Sequence, residues 1–156
     1  MKFNYSSERK EFTLESEILL PQTIDEVFPF FSDARNLEKL TPPLLQFQVL
    51  EPDKISMKVG ASINYKLKLH GIPFAWTSEI TAWDPPNGFT DEQRRGPYRY
   101  WIHQHLFEAR GNSTLVKDLV RYSVFGGFLV EKFFVRRDLE KIFNFRLEKM
   151  KSIFRE

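Results

Sequence analysis

The stretch from Phe128 to Phe154 limits most narrowly what the rest of the chain can fold into. Its apolar residues recur with a helical period, and at about 100° per residue Leu139, Ile142, Phe143, Leu147, Met150, Ile153 and Phe154 share one side. A helix with so wide an apolar stripe has to bury it. No other segment can cover that stripe, which leaves the concave face of a curved sheet as its partner.

The chain before it supplies such a sheet. Lys10 to Leu20 alternates as a strand with Phe12, Leu14, Ile18 and Leu20 inward, and Pro21 ends it. Thr23 and Glu26 read as a capping box ahead of Val27, Phe28, Phe30 and Phe31, and Pro29 must kink or shorten that helix. Asp33 caps a second short helix, Ala34 to Leu40, which Thr41-Pro42-Pro43 stops. Further strands are expected at Gln46 to Glu51, Ala61 to His70, Phe74 to Trp83, Phe89 to Arg95, Arg99 to Glu108 and Thr114 to Phe125. Turns at Gly71-Ile72-Pro73, Asp84 to Gly88, Gly96-Pro97 and Arg110 to Ser113 separate the last five of these. Consecutive strands with helices set apart from them define an α+β fold: a seven-stranded antiparallel sheet wrapped around a long C-terminal helix, with two short helices after the first strand.

Composition excludes several functions. With 156 residues and no linker-like or repeated segment, residues 1–156 are expected to form one domain with a sizeable core. The 23 basic and 21 acidic residues are spread evenly, so no nucleic-acid partner is expected. Cysteine is absent, which removes disulfides, thiolate metal sites and cysteine nucleophiles. No secretory signal and no membrane-spanning run is read, and the expected location is cytoplasmic. The 16 phenylalanines supply burial area and the kind of ring that lines apolar pockets.

Three separated blocks carry a family resemblance: Val27-Phe28-Pro29-Phe30-Phe31-Ser32-Asp33 with Asn36-Leu37 and Leu40-Thr41-Pro42-Pro43; Arg95-Gly96-Pro97-Tyr98 with Trp101, His103, His105 and Phe107; and Phe134-Val135-Arg136-Arg137. In this order they resemble the START/polyketide-cyclase/birch-allergen superfamily (SRPBCC), and most nearly its bacterial ligand-binding proteins, over nearly the whole chain. The resemblance implies a helix-grip fold with a cavity between sheet and helix. It does not imply one activity, since the superfamily includes lipid and sterol carriers, hormone receptors, coenzyme Q-binding proteins and polyketide aromatases or cyclases.

Strand parity places a candidate site. If Ala109 pairs with Thr114, then Phe107 faces Val116, His105 faces Asp118, His103 faces Val120 and Trp101 faces Tyr122, all on one side. Lys117 and Arg121 suit the opposite, solvent side, so the Trp101/His105 side is the inner one. A three-residue turn at Gly96-Pro97-Tyr98 brings Gln93 beside Trp101 and Asp91 beside His103, whereas a two-residue turn reverses that parity. Asp91, Gln93, His103, His105 and Asp118 would then form a polar cluster in an aromatic wall of Tyr65, Trp76, Trp101, Phe107 and Tyr122, with Phe143, Arg146 and Met150 opposite.

These residues admit more than one role. His103 and His105 have spacing compatible with shared metal ligation, but no third ligand is visible, so neither metal nor other cofactor is expected. A structural hydrogen bond between His105 and Asp118 is the favoured reading, with acid–base catalysis as the alternative. Arg146 lies in the middle of the apolar stripe. Its guanidinium is read as bending past the helix edge into water, and the alternative has it reaching an acidic ligand head, Asp91 or Asp118. Phe28, Phe30, Phe31, Phe133 and Phe134 are read as core or cavity wall. No nucleophile motif, phosphate loop or dinucleotide fingerprint is present. The leading expectation is a non-catalytic domain that binds a hydrophobic small molecule, a lipid, quinone or polyketide-like compound. The alternatives are a cyclase or dehydratase using His103 or His105 with Asp118, and an interaction module displaying an exposed apolar patch.

Overall fold

A computed structural model describes residues 1–155. Eight strands form one antiparallel sheet in the order β1-β2-β8-β7-β6-β5-β4-β3: β1 (Lys2–Ser6), β2 (Glu11–Leu20), β3 (Gln48–Val49), β4 (Ser62–Leu69), β5 (Ile72–Asp84), β6 (Gly88–Arg95), β7 (Tyr100–Arg110) and β8 (Ser113–Ser123). The eighth strand, β1, lies outside the seven expected. Its sequence is mostly polar and exposed, and it alternates too weakly to be read as a strand, because it only extends the edge beside β2.

Between β2 and β3 lie α1 (Ile24–Phe31) and the tighter turns Ala34–Leu40 and Pro43–Leu45. The Thr23/Glu26 capping box is present, and Asp33 accepts from the Arg35 amide at 3.0 Å. Pro29 sits inside α1, which ends two residues later at Phe31. Phe28 and Phe31 of this helix pack on Phe107 with ring centroids 5.4 and 5.1 Å apart, closing one end of the sheet's concave face.

The β4–β5 connection differs from expectation. It is a two-residue turn at His70-Gly71, both with positive φ, so Ile72 and Pro73 belong to β5 and pair with Leu69 and Lys68. The β7–β8 loop is likewise shorter, since Arg110 pairs with Ser113, but the parity is unchanged. On β7, Trp101, His103, His105 and Phe107 are buried, and on β8 Thr114, Val116, Asp118, Val120 and Tyr122 are buried with them.

The C-terminal helical run is less uniform than its apolar period suggests. It comprises α2 (Gly127–Val130), a π-helical turn (Glu131–Val135) and α3 (Arg136–Ile153). Gly126 enters it at φ +90°, a left-handed conformation, and a Cβ there would lie 2.4 Å from Val130 Cγ2. Leu139, Phe143 and Met150 are buried against the sheet as expected, but Phe133 and Phe134 point outward and are neither core nor cavity wall. Counted back from Leu139 at about 100° per residue, both already fall off the apolar stripe, so their exposure agrees with the helical period.

Gly88 fixes how closely β6 approaches β7. A Cβ on it would fall 2.4 Å from the backbone oxygen of His105. Gly88→Ala is therefore expected to destabilise the fold by about 1–3 kcal/mol, the usual cost of overpacking, measured as a lower urea midpoint with unchanged slope. A midpoint equal to that of the parent would show that the two strands separate freely.

Candidate functional site

The alternation of β6, β7 and β8 aims four polar side chains, Asp91, His103, His105 and Asp118, at the same space. The backbone register sets His105 opposite Asp118 and Asp91 opposite His103, as the hairpin count and the three-residue turn require. The side chains, however, bond diagonally. His103 Nε2 lies 2.8 Å from Asp118 Oδ1, and His105 Nε2 lies 2.7 Å from Asp91 Oδ2, while His105 Nδ1 stays 3.6 Å from Asp118. The two imidazoles stack with centroids 3.7 Å apart, and Phe89 covers the other face of His105 at 4.3 Å. Stacking fixes the ring planes so that each Nε2 reaches its diagonal carboxylate.

Arg146 corrects the snorkelling expectation. Its side chain is 8% exposed and grips Asp118 in a bidentate pair, Nε to Oδ2 at 2.9 Å and Nη2 to Oδ1 at 3.1 Å. The guanidinium also stands 5.5 Å from the centre of the Phe31 ring, and its Nη2 lies 3.5 Å from His105 Nδ1. A guanidinium can only donate, so Nδ1 of His105 is the acceptor and its ring hydrogen sits on Nε2, donating to Asp91. The network continues past Asp91. Ser78 Oγ donates to Asp91 Oδ1 at 3.4 Å, Trp76 Nε1 donates to Ser78 Oγ at 3.0 Å, and the Tyr65 hydroxyl lies 3.3 Å from the same oxygen.

Charge follows from these contacts. Burial pushes the Asp118 carboxyl up, but the Arg146 charge and the His103 hydrogen bond outweigh it and hold the group well below the usual carboxylate range. Asp91 is also lowered; burial opposes this, and the His105 hydrogen bond with the charges around it prevails. His105 is brought down to about 4, chiefly by burial and by the neighbouring His103, against the pull of Asp91. It is neutral at pH 7.

Between this network, α3 and the turns after α1 lies a cavity of about 170 Å³. For scale, an apolar cavity of about 150 Å³ takes up benzene, so a ring-sized ligand fits without rearrangement. Of the residues expected at the site, Tyr65, Trp76, Asp91, Trp101, His103, His105, Phe143 and Arg146 line it. Five expected site residues do not. Gln93 is drawn to the β6–β7 turn, where its side-chain amide donates to the Tyr98 carbonyl at 2.9 Å and accepts from the Tyr98 amide at 3.2 Å. Phe107 packs under α1, Met150 packs with the core around Phe154, and Tyr122 donates to Glu131 at 2.8 Å. Asp118 lies behind the lining, locked between Arg146 and His103.

Sequence reasoning missed Ser78 and Tyr98, and also Leu37, Leu40, Phe47 and Met57, which line the side away from the sheet. Ser78 was legible in principle, since strand parity puts it on the face of Trp76. The rest lie in loops or in the short, tightly wound stretch Ala34–Leu40, too short for a period to mark which side chain turns inward.

Asp91, His103 and His105 bring three potential ligand atoms within 4.8 Å of one another. A cation there would displace both histidine–carboxylate hydrogen bonds and meet the charge of Arg146 beside His105. The donor set is better used as an internal network than as a metal site.

A family model described as "Polyketide cyclase / dehydrase and lipid transport" matches residues 20–151. Solved structures with the same fold include protein Ms6760 from Mycobacterium smegmatis, 14% identical over 98% of this chain and 96% of that one, at a TM-score of 0.68. The major latex-like protein 151 of Panax ginseng is 14% identical over 94% and 99%, at 0.68. The Zhui aromatase/cyclase of a Streptomyces species is 12% identical over 91% and 92%, at 0.71. No curated protein sequence matches the chain.

The lowered His105 value has a pH consequence. The unfolded chain takes up the proton near pH 6.5 and the folded protein only near 4, so acidification through that window favours unfolding. His105 should cost the folded state on the order of 3 kcal/mol between pH 7 and 4. His105→Gln is expected to remove most of that slope in denaturant titrations at successive pH values; an unchanged slope would mean that His105 is charged when folded.

Proposed function

From the premise that the chain belongs to the polyketide cyclase / dehydrase and lipid transport family, we propose that it binds an apolar ring-bearing small molecule, of lipid, quinone or polyketide-like type, through one hydroxyl or other hydrogen-bond donor. The observation that carries this reading is Asp91. One of its oxygens is held by His105, the other has only a long contact to Ser78, and the residue borders the cavity. An ionised acceptor in an otherwise apolar space selects a ligand that brings a donor, because a buried acceptor left unmatched is costly. Trp76, Trp101, Phe143 and Leu67 supply the apolar surface that a ring system needs.

Acid–base chemistry by His103 or His105 with Asp118, as a cyclase or dehydratase would require, is the second reading. Its support is that both imidazoles border the cavity. Against it, His105 near 4 with both nitrogens engaged is poorly matched to proton transfer around neutrality, and Asp118 does not border the cavity.

Calorimetric titration with naphthol and with naphthalene separates the anchor from mere apolar uptake. Naphthol is expected to bind about ten- to a hundredfold more tightly, the usual worth of a hydrogen bond to a charged group, and Asp91→Asn should shrink that preference. Equal affinities, or no binding of either ring, would contradict the proposal. A compound co-purifying with the protein that is converted on incubation, and no longer converted by Asp118→Asn, would favour the second reading.

A further inference from the structure

We propose that the face formed by Phe125 to Arg137 docks on an anionic lipid bilayer, with its aromatic rings entering the headgroup boundary. The observation behind it is an unusual exposure of large apolar groups at one place. Phe125 is 68% exposed, Leu129 65%, Phe133 54% and Phe134 67%, and all belong to the entry, α2 and the π turn of the C-terminal run. A protein surface carries single exposed apolar residues as a matter of course, but a contiguous cluster marks a contact surface. Phe128 extends it onto β1, with its ring 5.1 Å from that of Tyr5.

Charge selects the occupant. Lys132 holds its ammonium 5.8 Å from the Phe128 ring and 5.9 Å from the Phe133 ring, and Arg99 lies 5.9 Å from the Phe125 ring, so cations and rings project together. Arg137 is exposed on the next turn. Glu131 is the only acid between Phe125 and Arg137, and it is turned inward, fully buried and held by Tyr122 and by Arg136 at 2.9 Å. The outer face is therefore basic and aromatic at once. A second copy of the chain would set like charges against each other. A bilayer containing acidic lipids offers phosphates at the level of the cations and an apolar layer just beneath for the rings. No described helix is long and apolar enough to cross a membrane, so the contact is with the surface. The helical run that leaves this face continues into α3, whose Leu139, Ile142 and Phe143 border the cavity, so docking would hold a cavity for apolar compounds against the phase in which they dissolve.

Co-sedimentation with phosphatidylcholine vesicles, with and without phosphatidylserine, tests this on the full chain. Binding is expected only with phosphatidylserine present and should weaken as salt is raised. Phe133→Ser with Phe134→Ser, and separately Lys132→Glu with Arg137→Glu, should each lower the partition coefficient about tenfold or more, with thermal midpoints unchanged because these side chains are exposed. Val59→Ser, at an exposed apolar residue in the loop before β4, serves as reference and should bind as the parent does. No vesicle binding, or binding that the two double variants leave intact, would overturn the proposal. So would a dimer in solution that the Phe133/Phe134 variant dissociates, which would assign the face to self-association.

Discussion

The Asp118 carboxylate, enclosed by sheet, helix and imidazole, is the interaction on which the arrangement of the cavity depends. Burying a lone carboxylate would cost several kcal/mol, and the bidentate guanidinium of Arg146 offsets that cost only if α3 lies at one height over β8. The ion pair therefore acts as a register pin between helix and sheet. Once it is made, Nη2 of Arg146 is within reach of His105 Nδ1, which sets the tautomer of that ring and turns its Nε2 hydrogen toward Asp91. Removing the guanidinium would do more than lose a contact, since it would free the ring that orients the cavity's acceptor.

A second buried charge pair does the same for the other end of the helical run. Glu131, fully buried, joins Tyr122 of β8 to Arg136 at the start of α3, and Arg136 in turn covers the ring of Phe3 on β1. Two carboxylates on or facing β8 thus tie the same helical run to the sheet at its beginning and middle. The π turn itself carries both Glu131, which faces inward, and Phe133 and Phe134, which face out.

Much of this was legible in the sequence, and what was not has identifiable causes. Period-two alternation is a strong signal where one sheet face is buried, and it gave the β7–β8 register residue by residue. It could not give the diagonal pairing of His103 with Asp118 and His105 with Asp91, because that depends on ring stacking rather than on backbone register. Arg146 was misread for a related reason. Helical period shows that a residue lies in the apolar stripe, but only the sheet opposite decides whether an arginine there finds a carboxylate. Phe133 and Phe134 were read as core or cavity wall although the helical period places them off the apolar stripe, and β1 went unread because an exposed edge strand needs no apolar face. Gln93 was placed on the correct side of β6, yet the turn at Tyr98 holds both ends of its amide.

Nitrogen-15 NMR of the histidine rings addresses the central claim most directly, that Asp118 and Arg146 together fix a neutral His105 as a donor to Asp91. The account requires His105 to appear at pH 7 as the neutral ring with its hydrogen on Nε2, and to keep that form until the pH approaches 4. In Arg146→Met the same ring should lose its single tautomer. A His105 that is charged at pH 7, or that carries its hydrogen on Nδ1, would contradict the arrangement from which the cavity's polarity follows.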